Sequence, residues 1–191
     1  MKGWDSRALT IKRIRHQFFG MEVSVVQGDI AEQSADVLVN AAGTSLRMGS
    51  GVAGALRRKG GEALNEEAMN KGPVDLGEVV ITDSHDLDAD YVIHAAAMPH
   101  FGDGQATSQS IATATRKTLE AADEVEAESI VIPALGCGVA GFDIAAGVRR
   151  ICEEIAAHEP ESLQDIRLIG YADDEYRSMK AVASDVLEIE E

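Results

Sequence analysis

Gly49-Ser50-Gly51-Val52-Ala53-Gly54 and Gly136-Cys137-Gly138-Val139-Ala140-Gly141 spell one pattern, G-x-G-V-A-G, twice in the same chain. Each copy follows a short apolar run and precedes a stretch of helical periodicity. Glycines allow tight or left-handed backbone and let it approach a ligand with no Cβ in the way. Successive backbone N–H groups followed by a helix N-terminus make a cradle for anionic oxygen. Two such cradles at the carboxyl edge of one sheet can hold both phosphates of a diphosphate. The plainer reading is that both loops are only tight turns. Their repetition at equivalent strand–loop–helix positions argues against it.

Outward from the loops, runs rich in branched residues alternate with helical patterns. The strands expected are Glu22–Gln27, Asp36–Asn40, Glu78–Thr82, Tyr91–Ala95, Ser129–Pro133 and Ile166–Gly170. The helices expected are Gly51–Gly60, Glu62–Asn70, Ser108–Val125, Asp143–His158 and Asp174–Leu187. Ile144, Val148, Ile151, Cys152 and Ile155 share one helical face, with Asp143 placed to cap it. Val37-Leu38-Val39 and Ile130-Val131-Ile132 are apolar without alternation, the mark of a sheet covered on both faces. The pattern is α/β, a three-layer α/β/α sandwich. Residues 1–20 differ from the rest and read as a basic N-terminal extension ahead of a domain over 21–191. They form either a surface strand or helix or an upstream segment ahead of Met21.

The chain has 191 residues, 17 Lys+Arg against 33 Asp+Glu and a formal net charge of −16. That size suits one domain, and 45% hydrophobic residues exclude a disordered acidic tail. No apolar run reaches the ~20 residues that span a bilayer, and Lys12, Arg13 and Arg15 break any secretory h-region. No membrane association is expected. Nonspecific nucleic-acid binding is disfavoured, because phosphates are repelled. Cys137 and Cys152 are too few for a disulfide scaffold and fit a reducing cytoplasm. The first twenty residues hold five bases and one acid, so the remainder carries −20 with only four lysines.

Either loop also matches the G-x-G-x-x-G of dinucleotide-binding dehydrogenases. That fingerprint belongs after the first strand of a doubly wound series, with an acid ~20 residues on. Here the first loop follows the second core strand, and no second domain is left for a substrate. An NAD-dependent Rossmann dehydrogenase is a distant alternative. The Walker pattern G-x-x-x-x-G-K-[ST] is absent. The histidines show no H-x-x-x-H and the cysteines no paired C-x-x-C, so no metal site is expected.

The order of short words along the chain is more specific than any one of them. Gly28-Asp29-Ile30 is followed by Val39-Asn40-Ala41-Ala42, the first loop with Ala55-Leu56, Val92-Ile93-His94, Ile132-Pro133-Ala134-Leu135 leading into the second loop and Phe142, and finally Tyr171. In this order, from Val25 to about Leu187, the chain resembles the macrodomains, a family of ADP-ribose-binding and Appr-1″-p-processing modules. The resemblance implies a mixed, mostly parallel sheet of about six strands between two helical layers. It implies free or protein-linked ADP-ribose as ligand, an ADP-ribosylated protein as partner, and no cofactor. By the same resemblance, Asp29 accepts a hydrogen bond from the adenine amino group, with the Ile30 N–H on the same base. Tyr171 packs on the ring, and Asn40 reaches the distal ribose. Gly49, Gly51, Val52, Gly136, Cys137, Gly138, Val139, Ala140 and Gly141 surround the diphosphate and distal ribose, and Phe142 closes the wall or packs in the core.

Departures from the family pattern bear on enzymology. Hydrolytic members commonly carry G-G-V-D-G in the first loop, where this chain has Ala53, which accepts no proton. The second Asn of the usual N-A-A-N is Gly43, and the aromatic often found in the second loop is Ala140. These changes weaken acid–base hydrolysis. They leave a slow, substrate-assisted route through a water held by Asn40, which makes Asn40 the catalytic candidate. A true hydrolase of ADP-ribosyl-protein or O-acetyl-ADP-ribose is the competing class. Cys137 as nucleophile and His94 as base are each less expected than a structural role. Arg57-Arg58-Lys59 either steers anions toward the site or forms a solvated helix face. The acid-rich, lysine-poor body reads either as that of a protein from a salt-rich cell, its self-repulsion screened by concentrated salt, or as that of an ordinary acidic protein. On the first reading its melting temperature is expected to rise by several degrees between about 0.1 M and about 2 M KCl; an unchanged melting temperature contradicts that reading of the surface.

Overall fold

The computed structural model describes residues 16–18, 20–100, 102–138 and 141–188. All six expected strands are present: β2 (Met21–Gln27), β3 (Val37–Gly43), β4 (Val79–Asp83), β5 (Tyr91–Met98), β6 (Ser129–Pro133) and β7 (Asp165–Gly170). A seventh, β1 (His16–Phe18), pairs antiparallel with β2 at the sheet edge. The sheet order is β1-β2-β7-β6-β3-β5-β4, with parallel pairing from β2 through β5 and antiparallel edges. The basic residues Lys2, Arg7, Lys12, Arg13 and Arg15 lie outside the described residues.

Among the described residues, five helices cover the sheet: α1 (Gly51–Gly60), α2 (Glu62–Asn70), α3 (Ser108–Glu124), α4 (Ile144–Ala157) and α5 (Asp173–Val186). Side-chain alternation on the strands sorts them into two layers. Val37, Val39, Ile130 and Ile132 face the core shared with α3, α4 and α5. Leu38, Val92 and Val131 face Ala53 and Leu56 of α1 and Leu64 of α2. Both faces are therefore dry, which is why the strands are apolar without alternation. Helix starts are fixed by local chemistry. Asp143 accepts from the Ala146 N–H to cap α4, and Thr107 and Ser110 form a reciprocal capping box on α3.

A polar cluster is sealed into this sheet. His94, fully buried on β5, has Nδ1 3.0 Å from Asn40 Nδ2 on β3 and Nε2 3.0 Å from Thr82 Oγ1 on β4. With the Asn40 amide donating to Nδ1, the ring proton sits on Nε2 and is donated to Thr82, so the imidazole is neutral. Burial drives its pKa down from 6.5 to about 4, with smaller opposed effects from Glu67 and Lys71. The unfolded chain thus binds a proton between pH 6.5 and about 4 that the folded chain does not. Stability is full above pH 6.5 and falls as the pH drops through that window. The wild type is expected to lose about 3 kcal/mol more than His94→Gln between pH 7 and pH 4 in chemical denaturation. Parallel losses in the two proteins contradict this assignment.

Candidate functional site

Strands β3 and β6 lie side by side, but the helices that follow them go to opposite faces of the sheet. Their ladder runs for only two residue pairs, Val37–Ile130 and Leu38–Val131. Beyond it the two chains part, and a crevice opens at their carboxyl ends. This is the topological switch point, where open α/β sheets bind ligands. Both glycine loops line it from opposite sides.

The cleft has two compartments. One, of about 390 Å³, is walled by Gly28, Asp29 and Ile30 after β2, by Tyr171 after β7, and by Val52 and Arg58 on α1. The other, of about 320 Å³, is walled by Gly43, Arg47, Gly49 and Ala53, with His100 and Gly136 opposite. Gly51, Val52, Gly138 and Glu175 belong to both, so the compartments meet at a waist between the loops.

The waist is rich in donors. Ser50, at the start of α1, makes no side-chain cap, and the first amide to find a partner is that of Gly54, bonded to Ser50 O at 3.0 Å. The N–H groups of Gly51, Val52 and Ala53 are left without a partner among the described residues, as helix geometry requires for an uncapped first turn. The Gly138 N–H across the waist is likewise unpaired among them. Gly51 sits at φ +59° and Gly136 at φ +73°, left-handed backbone that turns each loop into place. A Cβ at Gly136 meets Ala106 at 2.7 Å, whereas one at Gly138 meets nothing within 4 Å. Position 138 therefore opens directly onto the waist.

In the first compartment, Asp29 Oδ1 accepts from the Ala31 N–H at 2.9 Å and caps a short 3-10 turn over Ile30–Glu32. Its second oxygen has no partner among the described residues. Tyr171 is 74% exposed, so its ring is not part of the core. Glu175 Oε2 accepts from the Tyr171 N–H at 2.7 Å and holds the turn that presents the ring. Glu175 carried no sequence signal; only the fold brings it to the waist.

Several expected positions lie elsewhere. Asn40 does not reach the cleft: it is 1% exposed, its side chain is turned toward His94, and its Oδ1 has no partner among the described residues. The alternation of β3 aims it into the layer of Leu38, beneath the first loop rather than into it. Cys137 is held by packing, since a Cβ on Gly147 of α4 comes within 2.2 Å of its Sγ. Burial, then the carboxylates of Asp143 and Glu175, push its thiol up to about 12, which removes it as a nucleophile at neutral pH. Phe142 packs on the core beside Gly147, and neither it nor Gly141 walls the cleft. Val139 and Ala140 lie outside the described residues. Ala53 is nearly buried, and a Cβ on Gly43 comes 3.1 Å from Pro99 O, so neither position offers a side-chain base.

A second hollow, of about 500 Å³, lies at the opposite end of the sheet beside the ends of α3 and α4. It is walled mainly by carboxylates, Glu120, Glu124, Glu154 and Glu159 among them. Asp123 there pairs with His158 at 2.8 Å. Burial opposes the Asp123 charge, but the N–H groups of Ser162, Glu161 and Leu163 outweigh it and hold the carboxyl below its usual range. Such a wall repels a diphosphate, so the crevice between the glycine loops is the candidate site. Among the described residues, no helix is long and apolar enough to cross a membrane, and no cluster of His, Cys, Asp or Glu is placed to hold a metal.

Comparison with known proteins agrees with this geometry. The model of the Macro domain family matches residues 39–151. An uncharacterized protein of Saccharolobus solfataricus is 34% identical over 174 residues, 88% of this chain and 96% of its own length. One from Mycobacterium tuberculosis is 38% identical over 161 residues, 84% of this chain. The match covers 44% of that protein, so the chain spans less than half the length of the mycobacterial relatives. Among solved structures, the Oceanobacillus iheyensis macrodomain with MES bound superposes with a TM-score of 0.78 at 25% identity, covering 91% of this chain and 96% of that one. The Trypanosoma brucei macrodomain in complex with ADP-ribose shares the fold, with a TM-score of 0.79 at 22% identity over 90% of this chain and 73% of its own.

Proposed function

The chain belongs to the macro domain family, and on that premise we propose that the cleft between its glycine loops binds ADP-ribose, free or attached to protein. The observation that carries this reading is the waist: N–H groups of Gly51, Val52, Ala53 and Gly138 without a partner among the described residues, on two loops that meet between the compartments. A diphosphate supplies the acceptors they lack. Adenosine then occupies the compartment of Asp29 and Tyr171, with the free Asp29 oxygen accepting from the adenine amino group and Tyr171 stacked on the base. That carboxylate also disfavours guanine, which presents an acceptor at the equivalent position. The distal ribose lies beside Gly43, Ala53 and Gly136.

Binding rather than hydrolysis is the reading the side chains support. Among the described residues lining the distal compartment, the one carboxylate is Glu175, and it is engaged by the Tyr171 and Ala172 N–H groups. Asn40, the candidate for holding a hydrolytic water, is sealed beneath the site with His94.

Calorimetry with ADP-ribose and GDP-ribose tests the assignment. ADP-ribose is expected to bind tighter than about 1 mM and tighter than its guanine counterpart. Gly138→Glu, whose backbone is not left-handed and whose Cβ meets nothing, is expected to fold and to lose binding, because its carboxylate enters the phosphate path. Tyr171→Ala is expected to weaken binding about fivefold without lowering stability, since the ring is exposed. Full affinity in Gly138→Glu, or equal affinity for the two nucleotides, contradicts the proposal.

A further inference from the structure

Arg47 stands at the outer edge of the distal compartment, exposed to solvent beside exposed Ser50 and His100. Its placement is imposed by its neighbours. Leu46 and Met48 are both fully buried, so the residue between them is turned outward. Leu46 holds a left-handed φ of +59°, unusual for a residue with a Cβ, and its N–H donates to Gly43 O at 3.0 Å. The Met48 N–H donates to Asn65 Oδ1 at 2.9 Å, and Arg57 donates to Met48 O at 3.1 Å while pairing with Glu62. Arg47 is thus presented by a loop braced on both sides.

Its charge is uncommitted. From residue 21 onward the chain has twelve Lys and Arg side chains. Nine pair with a carboxylate, and Lys180 is also engaged. The two without a carboxylate partner among the described residues are Arg58, in the first compartment, and Arg47. In a chain with 33 acids and 17 bases, an arginine left unpaired at a cleft mouth is a position kept for something else. Arg58 lies back along α1, with Nη1 3.4 Å from where a Cβ on Gly54 would be, in the compartment of Asp29 and Tyr171. Arg47 lies at the other end, where whatever is attached to the distal ribose must leave the cleft.

We infer that this mouth docks the acidic segment of an ADP-ribosylated protein, with Arg47 its specificity-determining residue. The inference rests on the ADP-ribose reading, which puts the distal ribose in this compartment. As the acceptor chain leaves the cleft, a carboxylate flanking the modified residue meets the Arg47 guanidinium. Arg is suited to this because its planar fork grips a carboxylate through two parallel N–H bonds. The net charge of −16 opposes any acidic partner, so a preference for one must come from a local contact.

The test uses two peptides carrying one ADP-ribose at the same residue, flanked by Glu in one and Gln in the other, titrated into the full chain at low salt. The wild type is expected to bind the Glu-flanked peptide about three- to fivefold tighter, the upper part of the range of an exposed ion pair. The ratio falls to about one in Arg47→Gln, persists in Arg47→Lys, and collapses toward one in about 1 M KCl. A wild-type ratio of one or less, a ratio unchanged by Arg47→Gln, or an equal loss for both peptides in Arg47→Gln overturns the inference. Free ADP-ribose, titrated in parallel, separates the two readings. If it binds and the ratio is one, the docking inference alone fails. If it does not bind, the ADP-ribose reading fails as well.

Discussion

A helix that begins without a side-chain cap leaves its first amide protons pointing into space, and here that space is the crevice between β3 and β6. The Gly51, Val52 and Ala53 N–H groups lack partners among the described residues, and Gly138 offers another across the gap. The surrounding architecture serves this arrangement. The two strands pair briefly and part, their helices leave on opposite faces, and left-handed glycines at 51 and 136 turn the loops toward each other. Packing then fixes the loops from behind. Cys137 lies against Gly147 of α4, and the Arg57–Glu62–Asn65 cluster holds the backbone at Met48.

The same arrangement reconciles an acidic chain with an anionic ligand. Backbone N–H dipoles bind oxyanions without adding net charge, so a surface of −16 and a diphosphate cradle do not conflict. Acids on the helices pair with many of the arginines and lysines, and others surround the hollow at the far end of the sheet. The cleft keeps the two arginines that have no such partner among the described residues. Two acids stand in its wall, and each has a structural duty: Asp29 caps the short 3-10 turn, and Glu175 holds the turn that carries Tyr171.

Much of this was legible before folding. The apolar runs around Leu38 and Val131 marked strands dry on both sides, and Asp143 marked the start of α4 within a residue. The glycine repeat pointed to the crevice, because φ and close approach are properties of the residue itself. Side-chain direction was less legible. Asn40 belongs to a specific word in the sequence, yet the alternation of β3 sends its amide into the sheet toward His94, a partner 54 positions away. Cys137 lies within a cleft-forming loop but turns back onto α4, a contact that depends on Gly147. Arg47 and Glu175 were silent, because one is distinguished by what does not pair with it and the other by a turn linking β7 to α5. Such features arise from tertiary neighbours and leave no local pattern.

The central claim is that the amides of the two loops receive the ligand's phosphates. Amide chemical shifts followed during titration of the ¹⁵N-labelled chain with ADP-ribose test it most directly. The account predicts that the largest changes fall on Gly51, Val52, Ala53 and Gly138, with a second group at Ile30 and Tyr171. The amides around Asp123 and His158 stay where they were. Shifts centred on that acidic hollow, or loop amides unmoved at saturation, would contradict it.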